Sequence, residues 1–352
     1  MSLHLSLTSK GALYDMDYEI FDLGDVLLQS GVTLPNAFLA YKTYGTLNAE
    51  KSNAILFPTS FGDQHYNNEW LIGNDMALDP ESYFIIIPNM LGNGLSSSPS
   101  NTPSPYDQAH FPNVTIFDNV AMQHRLLTER FGIAKLALVT GWSMGAIQAF
   151  QWGASYPDMV ERLAPFAGTA KTWPHNEVFI EGLRAVIQAD CAWNSGTYAA
   201  PPETGLRTLG RVYAGWGFSQ PFYREECYRT MGYDSLSEFI TGFWEKSFID
   251  ADANDLLAML WTWQHADISR NPLYHGNLPL ALRSIRARTV VMPVTTDLYF
   301  TSEDSKYETS HIPNAVFRPI ESIWGHLAGY GLNPEDTKFI DSTLKELLAA
   351  GR

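Results

Sequence analysis

The chain has little of what would tie it to a membrane, a nucleic acid or an oxidising compartment. Only two of its 352 residues are cysteine. Cys191 and Cys227 stand far apart and match neither a metal-binding nor a redox spacing. No run of about 18 consecutive apolar residues occurs, so no segment is expected to span a bilayer. Charged residues make up 17% of the chain, the formal net charge is −15, and lysine and arginine form no block. Nucleic acids and anionic membrane surfaces both need clustered cations, so neither is an expected partner. The N-terminal stretch MSLHLSLTSKGALYDMDYEI lacks a basic segment followed by a long apolar one. It does not read as a secretory leader, and the expected compartment is the cytoplasm.

What is present is enough to build a large core: 45% of the residues are hydrophobic. The length suits one large domain, or a domain that carries an insertion. YEIFDLGDVLLQSG and VTLPNAFLAYKTYG read as antiparallel strands joined at a glycine turn. Short apolar runs of the buried-strand type follow: NAILFPTS, YFIIIPN, KLALVTGWS and RLAPFAGT. Helical patterns such as TIFDNVAMQHRLLTERFG and MGAIQAFQWGASYP separate several of them. Such alternation predicts a mostly parallel sheet with helices on both faces.

The alternation stops near residue 170. From 171 to 283 the sequence is aromatic-rich and helical in pattern, and the strand pattern resumes with RTVVMPVTTD and AVFRPIES before a closing helix, PEDTKFIDSTLKELLAAG. The expected organisation is a core formed by 1–170 and 284–352, with 171–283 inserted as a helical cap. An apolar cap is also the expected place for a homodimer contact.

KLALVTGWSMGAIQAF reads as strand, turn and helix, with G-x-S-x-G at the turn. That context makes Ser143 a candidate nucleophile on a strained elbow. Gly141 and Gly145 then stand where side chains would collide with the neighbouring strand and helix. The backbone N–H of Met144, at a helix N-terminus, becomes a candidate donor to a developing oxyanion. A serine hydroxyl needs a histidine to take its proton and a carboxylate to hold that histidine. His326, in SIWGHLAGYG, follows a strand-like run and precedes the last helix. Asp297 ends the apolar strand TVVMPVTTD and is favoured as the acid over Glu303, Asp304 and Glu321. The second oxyanion donor is expected after AILFPTS, from the backbone of Ser60 or Phe61.

Together, GWSMGAIQAFQWGASYPD, PTSFGDQH, PNMLGNGLSSSPS, AGTAKTWPHNEVFIEGLRAVIQAD, VTTDLYF and GH resemble the homoserine O-acetyltransferase family of α/β hydrolases over nearly the whole chain. The resemblance implies an α/β-hydrolase fold in which Ser143 is the nucleophile, Asp297 the acid and His326 the base, with Ser60 and Met144 at the oxyanion positions. It also puts Arg211 about where the transferases keep a carboxylate-binding arginine. The transferases read G-H-D at the catalytic histidine, whereas Leu327 follows His326 in this chain. Homoserine's ammonium needs a carboxylate partner, so the departure favours the family's esterase branch. The expected activity is hydrolysis of short-chain, acetate-type esters through an acyl-serine, with a small-molecule ester as partner and no cofactor or metal. The runner-up is transfer of acetyl from acetyl-CoA to homoserine or another alcohol, and a third reading is a non-catalytic binding protein. Glu177 or Glu181 of the cap could replace the missing aspartate.

Overall fold

The computed structural model describes residues 17–350; most of the segment read for a leader lies outside them. Eight strands form one sheet in the order β1-β2-β4-β3-β5-β6-β7-β8. They are β1 (Glu19–Leu27), β2 (Thr33–Tyr44), β3 (Ala54–Leu56), β4 (Phe84–Pro88), β5 (Leu138–Trp142), β6 (Arg162–Phe166), β7 (Arg288–Val291) and β8 (Ala315–Phe317). β1 and β2 pair antiparallel, β2 pairs antiparallel with β4, and every later pairing is parallel. Parallel strands packed on both faces need continuous apolar runs rather than alternation. Ile85, Ile86, Ile87, Leu138, Val139 and Leu163 accordingly have no exposed surface.

β7 and β8 end earlier than the runs RTVVMPVTTD and AVFRPIES suggest. Pro293 and Pro319 follow them, and proline has no N–H to offer the ladder. Isolated bridges (Phe166 to Met292, Val294 to Ile320) carry the chain on in strand-like form. Asp297 and His326 are thereby delivered beyond the same sheet edge at which β5 ends.

Helix α1 (Ile116–Arg125) precedes β5 and helix α2 (Met144–Ser155) follows it. Met144, Ile147, Gln148 and Gln151 follow helical spacing, Ala149, Phe150 and Trp152 fill other faces of α2, and every residue from Met144 to Ala154 is buried. Gln148 survives there because its buried amide is satisfied. Gln123 Nε2 donates to Gln148 Oε1 at 2.6 Å, and Gln148 Nε2 donates to the Thr59 carbonyl at 2.9 Å. The second bond ties α2 to the loop that carries Ser60.

Between β6 and β7 the described chain is helical. Its longer helices are α3 (Pro174–Gln188), α4 (Glu203–Gly217) and Ala253–Gln264. The only extended pairing there, among the described residues, is a bridge between Lys171 and Asp267. A buried carboxyl pins the start of this region. Glu308, on helix Ser302–Ser310, accepts from the Thr169 hydroxyl, from the Ala170 N–H at 2.9 Å and from Trp173 Nε1 at 3.0 Å.

Burial pushes the Glu308 carboxyl up from its ordinary 4.5 to about 7, and those hydrogen bonds offset only part of the shift. A raised carboxyl pKa means that the folded state holds its proton longer than the unfolded state. Stability from this group is therefore complete below about pH 4.5 and is lost as pH rises toward 7. Relative to Glu308→Gln, the wild-type protein should lose about 3 kcal/mol of unfolding free energy across that window. Urea titrations of both proteins from pH 4.5 to 8 measure the difference; parallel pH profiles would contradict it.

Candidate active site

Ser143 sits at the end of β5 with φ 56° and ψ −124°. A non-glycine residue holds positive φ only where its surroundings over-determine it. Here they do: the Ser143 N–H donates to the Phe166 carbonyl at 3.2 Å, and α2 starts at the next residue. A Cβ on Gly141 would lie 2.3 Å from the Gly145 carbonyl group, and one on Gly145 would lie 2.6 Å from the Pro58 carbonyl oxygen. Both glycines are thus required by close backbone approach.

Asp297 and His326 lie in contact. His326 Nδ1 and Asp297 Oδ2 are 2.7 Å apart, with both side chains almost wholly out of solvent. Asp297 Oδ1 accepts from the N–H groups of Tyr299 at 3.1 Å and Phe300 at 3.0 Å. The carboxylate accepts, so Nδ1 carries the imidazole proton and Nε2 presents a lone pair. Nε2 is buried and has no hydrogen-bond partner among the described residues.

The loop bearing His326 is held by Gly325 (φ 56°), where a Cβ would meet the Gly217 carbonyl oxygen at 2.8 Å. Trp142, the residue before Ser143, packs its ring 4.7 Å from that of His326 and donates from Nε1 to the His326 carbonyl at 3.2 Å. Tyr299 lies 4.6 Å from the imidazole on ring centroids. These aromatic supports carry no motif of their own in the sequence.

Ser60 reaches the elbow through its side chain. Its Oγ accepts from the Met144 N–H at 3.1 Å, so the hydroxyl lies at the donor that an oxyanion would use. The sequence points only to the Ser60 backbone; the side-chain contact depends on the loop's approach to α2. Arg211 stands apart. Its guanidinium is half exposed and paired with Glu245 at 2.5 Å, and it is not among the residues that line the cavity at His326. Arg207 shares the same carboxylate.

That cavity measures about 260 Å³. His326, Trp142, Leu327 and Tyr330 line it from the sheet side, and Tyr213, Trp244 and Phe248 from the helical region. Of the tryptophans between 171 and 283, Trp244 is on this wall. Trp263 is buried against Phe61, Tyr299 and Phe300, and Trp261 stacks on His265. Among the described residues, no lysine or arginine lines the cavity. Asp63, in the PTSFGDQH stretch, does. Among the described residues no group of three or more metal-ligating side chains is assembled, and no helix is long and apolar enough to cross a membrane.

A serine on a strained turn, a carboxylate-held imidazole with a free Nε2 and N–H donors at a helix start can together carry acyl transfer through serine. Comparison with known proteins agrees with that chemistry. Ethyl acetate hydrolase of Pseudomonas veronii is 42% identical over 336 residues, covering 95% of this chain and 96% of the relative. The solved structure of the acetyl esterase MekB superposes with a TM-score of 0.93 at 42% identity, covering 95% of this chain and 97% of that one. Homoserine O-acetyltransferase of Methanococcoides burtonii is similar at 33% identity, over 86% of this chain and 68% of the relative. The family model described as alpha/beta hydrolase fold matches residues 53–329. With that match spanning most of its length and the sheet order above, the chain belongs to the α/β-hydrolase family.

Proposed function

We propose that this protein is a serine esterase that hydrolyses short-chain acetate esters. The observation that carries the reading is the buried Asp297–His326 pair, whose Nε2 has no partner among the described residues, at a small cavity that no described lysine or arginine lines. Its similarity to an ethyl acetate hydrolase and to an acetyl esterase supports the same substrate class.

In the proposed reaction Ser143 Oγ attacks the ester carbonyl while His326 Nε2 takes its proton. Asp297 holds the imidazole and stabilises the imidazolium that forms. The N–H groups of Met144 and Ser60 receive the negative oxygen, and the Ser60 hydroxyl turns aside from Met144 to admit it. His326 returns the proton to the departing alkoxide, leaving acetyl on Ser143. Water then attacks the acyl carbon and gives a proton to Nε2. Acetate leaves as Ser143 regains its hydrogen. Residues 171–283 act as a cap that supplies the aromatic wall and limits the acyl group.

Homoserine as acceptor would need a cation for its carboxylate and an anion for its ammonium, because an unpaired buried charge costs several kcal/mol. Leu327 is apolar, Arg211 is engaged with Glu245, and Glu181 pairs with Arg184 and Gln264 on an exposed surface. Water makes neither demand.

Ser143→Ala should lower kcat on ethyl acetate by about 10⁴-fold or more with little change in Tm, and His326→Ala should do nearly the same. Multiplicative losses in the double variant would count against the two acting as one unit. The rate should fall steeply from acetyl to octanoyl esters, since about 260 Å³ leaves little room for a long chain; equal rates on both would refute a closed pocket. With acetyl-CoA, adding homoserine should not accelerate thiol release. Rapid homoserine-dependent release would establish the transferase instead.

A further inference from the structure

Asp63 is an unexplained group at the cavity. It is 6% exposed, has no cationic partner among the described residues, and plays no part in the proposed reaction. Its backbone is fixed: the N–H donates to the Ser60 carbonyl at 3.3 Å, and Asn93 Nδ2 donates to its carbonyl at 3.1 Å. Its side chain is half satisfied. Asn67 Nδ2 donates to the Tyr330 hydroxyl oxygen at 2.9 Å, and Tyr330 passes its own proton on to Asp63 Oδ1 at 3.0 Å. The direction of that chain leaves Oδ2 as the atom for a further partner. Oδ2 is buried and has none among the described residues. A buried polar atom left in this state costs free energy that a ligand can recover.

Asp63 belongs to the same wall as the histidine. Tyr330 packs 4.7 Å from Trp142, which packs 4.7 Å from His326. Across the cavity stand Tyr213, Trp244 and Phe248, which offer mainly apolar surface. An acetyl group has a methyl, which suits that surface, and a carbonyl oxygen, which goes to backbone N–H groups. Neither has a proton to give a carboxylate. The alcohol half is the part of an acetate ester that can carry one.

We propose that Asp63 is a specificity-determining residue for the alcohol half, and that it selects acetate esters whose alcohol carries a second hydroxyl, the monoacetates of short diols. The proposal rests on the esterase reading above. A hydroxyl suits this site better than an ammonium does. Burial pushes the Asp63 carboxyl up to about 7, so both of its forms are present near neutral pH. A hydroxyl donates to the ionised Oδ2 and accepts from the protonated one, whereas an ammonium pairs only with the first.

The test compares 2-hydroxyethyl acetate with n-propyl acetate, which differ by a hydroxyl in place of a methyl. Each kcat/KM is normalised to the ester's rate of alkaline hydrolysis. The wild-type protein should prefer the hydroxyl ester by about tenfold, the worth of one buried hydrogen bond. Asp63→Ala should bring the ratio close to one. Asp63→Asn keeps the acceptor for Tyr330 and only donates at the other position, so it should give an intermediate ratio and stands in should the alanine variant not fold. A wild-type ratio at or below one, or a ratio unchanged in the variants while propyl acetate is still hydrolysed, overturns the subsite and spares the esterase. Preference for acetylcholine over the hydroxyl ester overturns the hydroxyl assignment. Failure to turn over either ester overturns the esterase reading, and this proposal with it.

Discussion

The backbone of Ser143 is the constraint on which the site depends. A residue with a side chain does not rest at φ 56° without support. Here the support is a crowded crossing of β5, α2 and the loop after β3, where the Gly145 backbone runs so near Gly141 and Pro58 that no Cβ fits. That crossing fixes the Ser143 backbone and brings the Met144 N–H within 3.1 Å of Ser60 Oγ. Gln148 reinforces the arrangement by bonding to Thr59 across the gap. The strained turn, the Met144 N–H and the loop are thus one packed unit.

Around this unit the cavity is electrostatically one-sided. Among the described residues its wall holds one carboxyl, Asp63, and the His326 imidazole, but no ammonium or guanidinium. Asp297 is satisfied by the histidine and two backbone N–H groups, so it can serve as a fixed negative partner in a dry site. Asp63 differs in having one oxygen bonded and one not. Both carboxyls are buried, and they differ in how many donors reach each. A neutral ester meets such a cavity at little electrostatic cost, whereas a zwitterionic acceptor would leave its carboxylate unpaired.

Buried carboxyls recur away from the site, and each is an anchor. Glu308 gathers three donors from the segment after β6, and Asp255 takes two bonds from Ser100. Both are pushed up to about 7 by burial. Such groups fix segments at the boundary between the sheet and the helical region, at a cost in stability that grows as pH rises.

The sequence by itself determined the strand and helix order, the G-x-S-x-G turn between β5 and α2, and the placing of Asp297 and His326 just beyond strand ends. Each of these is written locally: apolar runs of strand length, G-x-S-x-G between a strand and a helix, and polar residues placed just beyond strand ends. It also marked Leu327 as a departure, and the residue lies on the cavity wall. Tertiary structure decided the rest. Arg211 has the right residue type, but α4 turns it toward Glu245, and no pattern along the chain encodes which way a helix faces. Trp142 and Tyr330 read as ordinary aromatics until packing sets them beside His326. Asp63 carries no signal of its own in the sequence, and its meaning rests on Tyr330, 267 positions away. Local pattern fixes backbone form because it acts between near neighbours. Which polar atom is left unpaired in a cavity is settled only when distant segments pack and take, or leave, its hydrogen bonds.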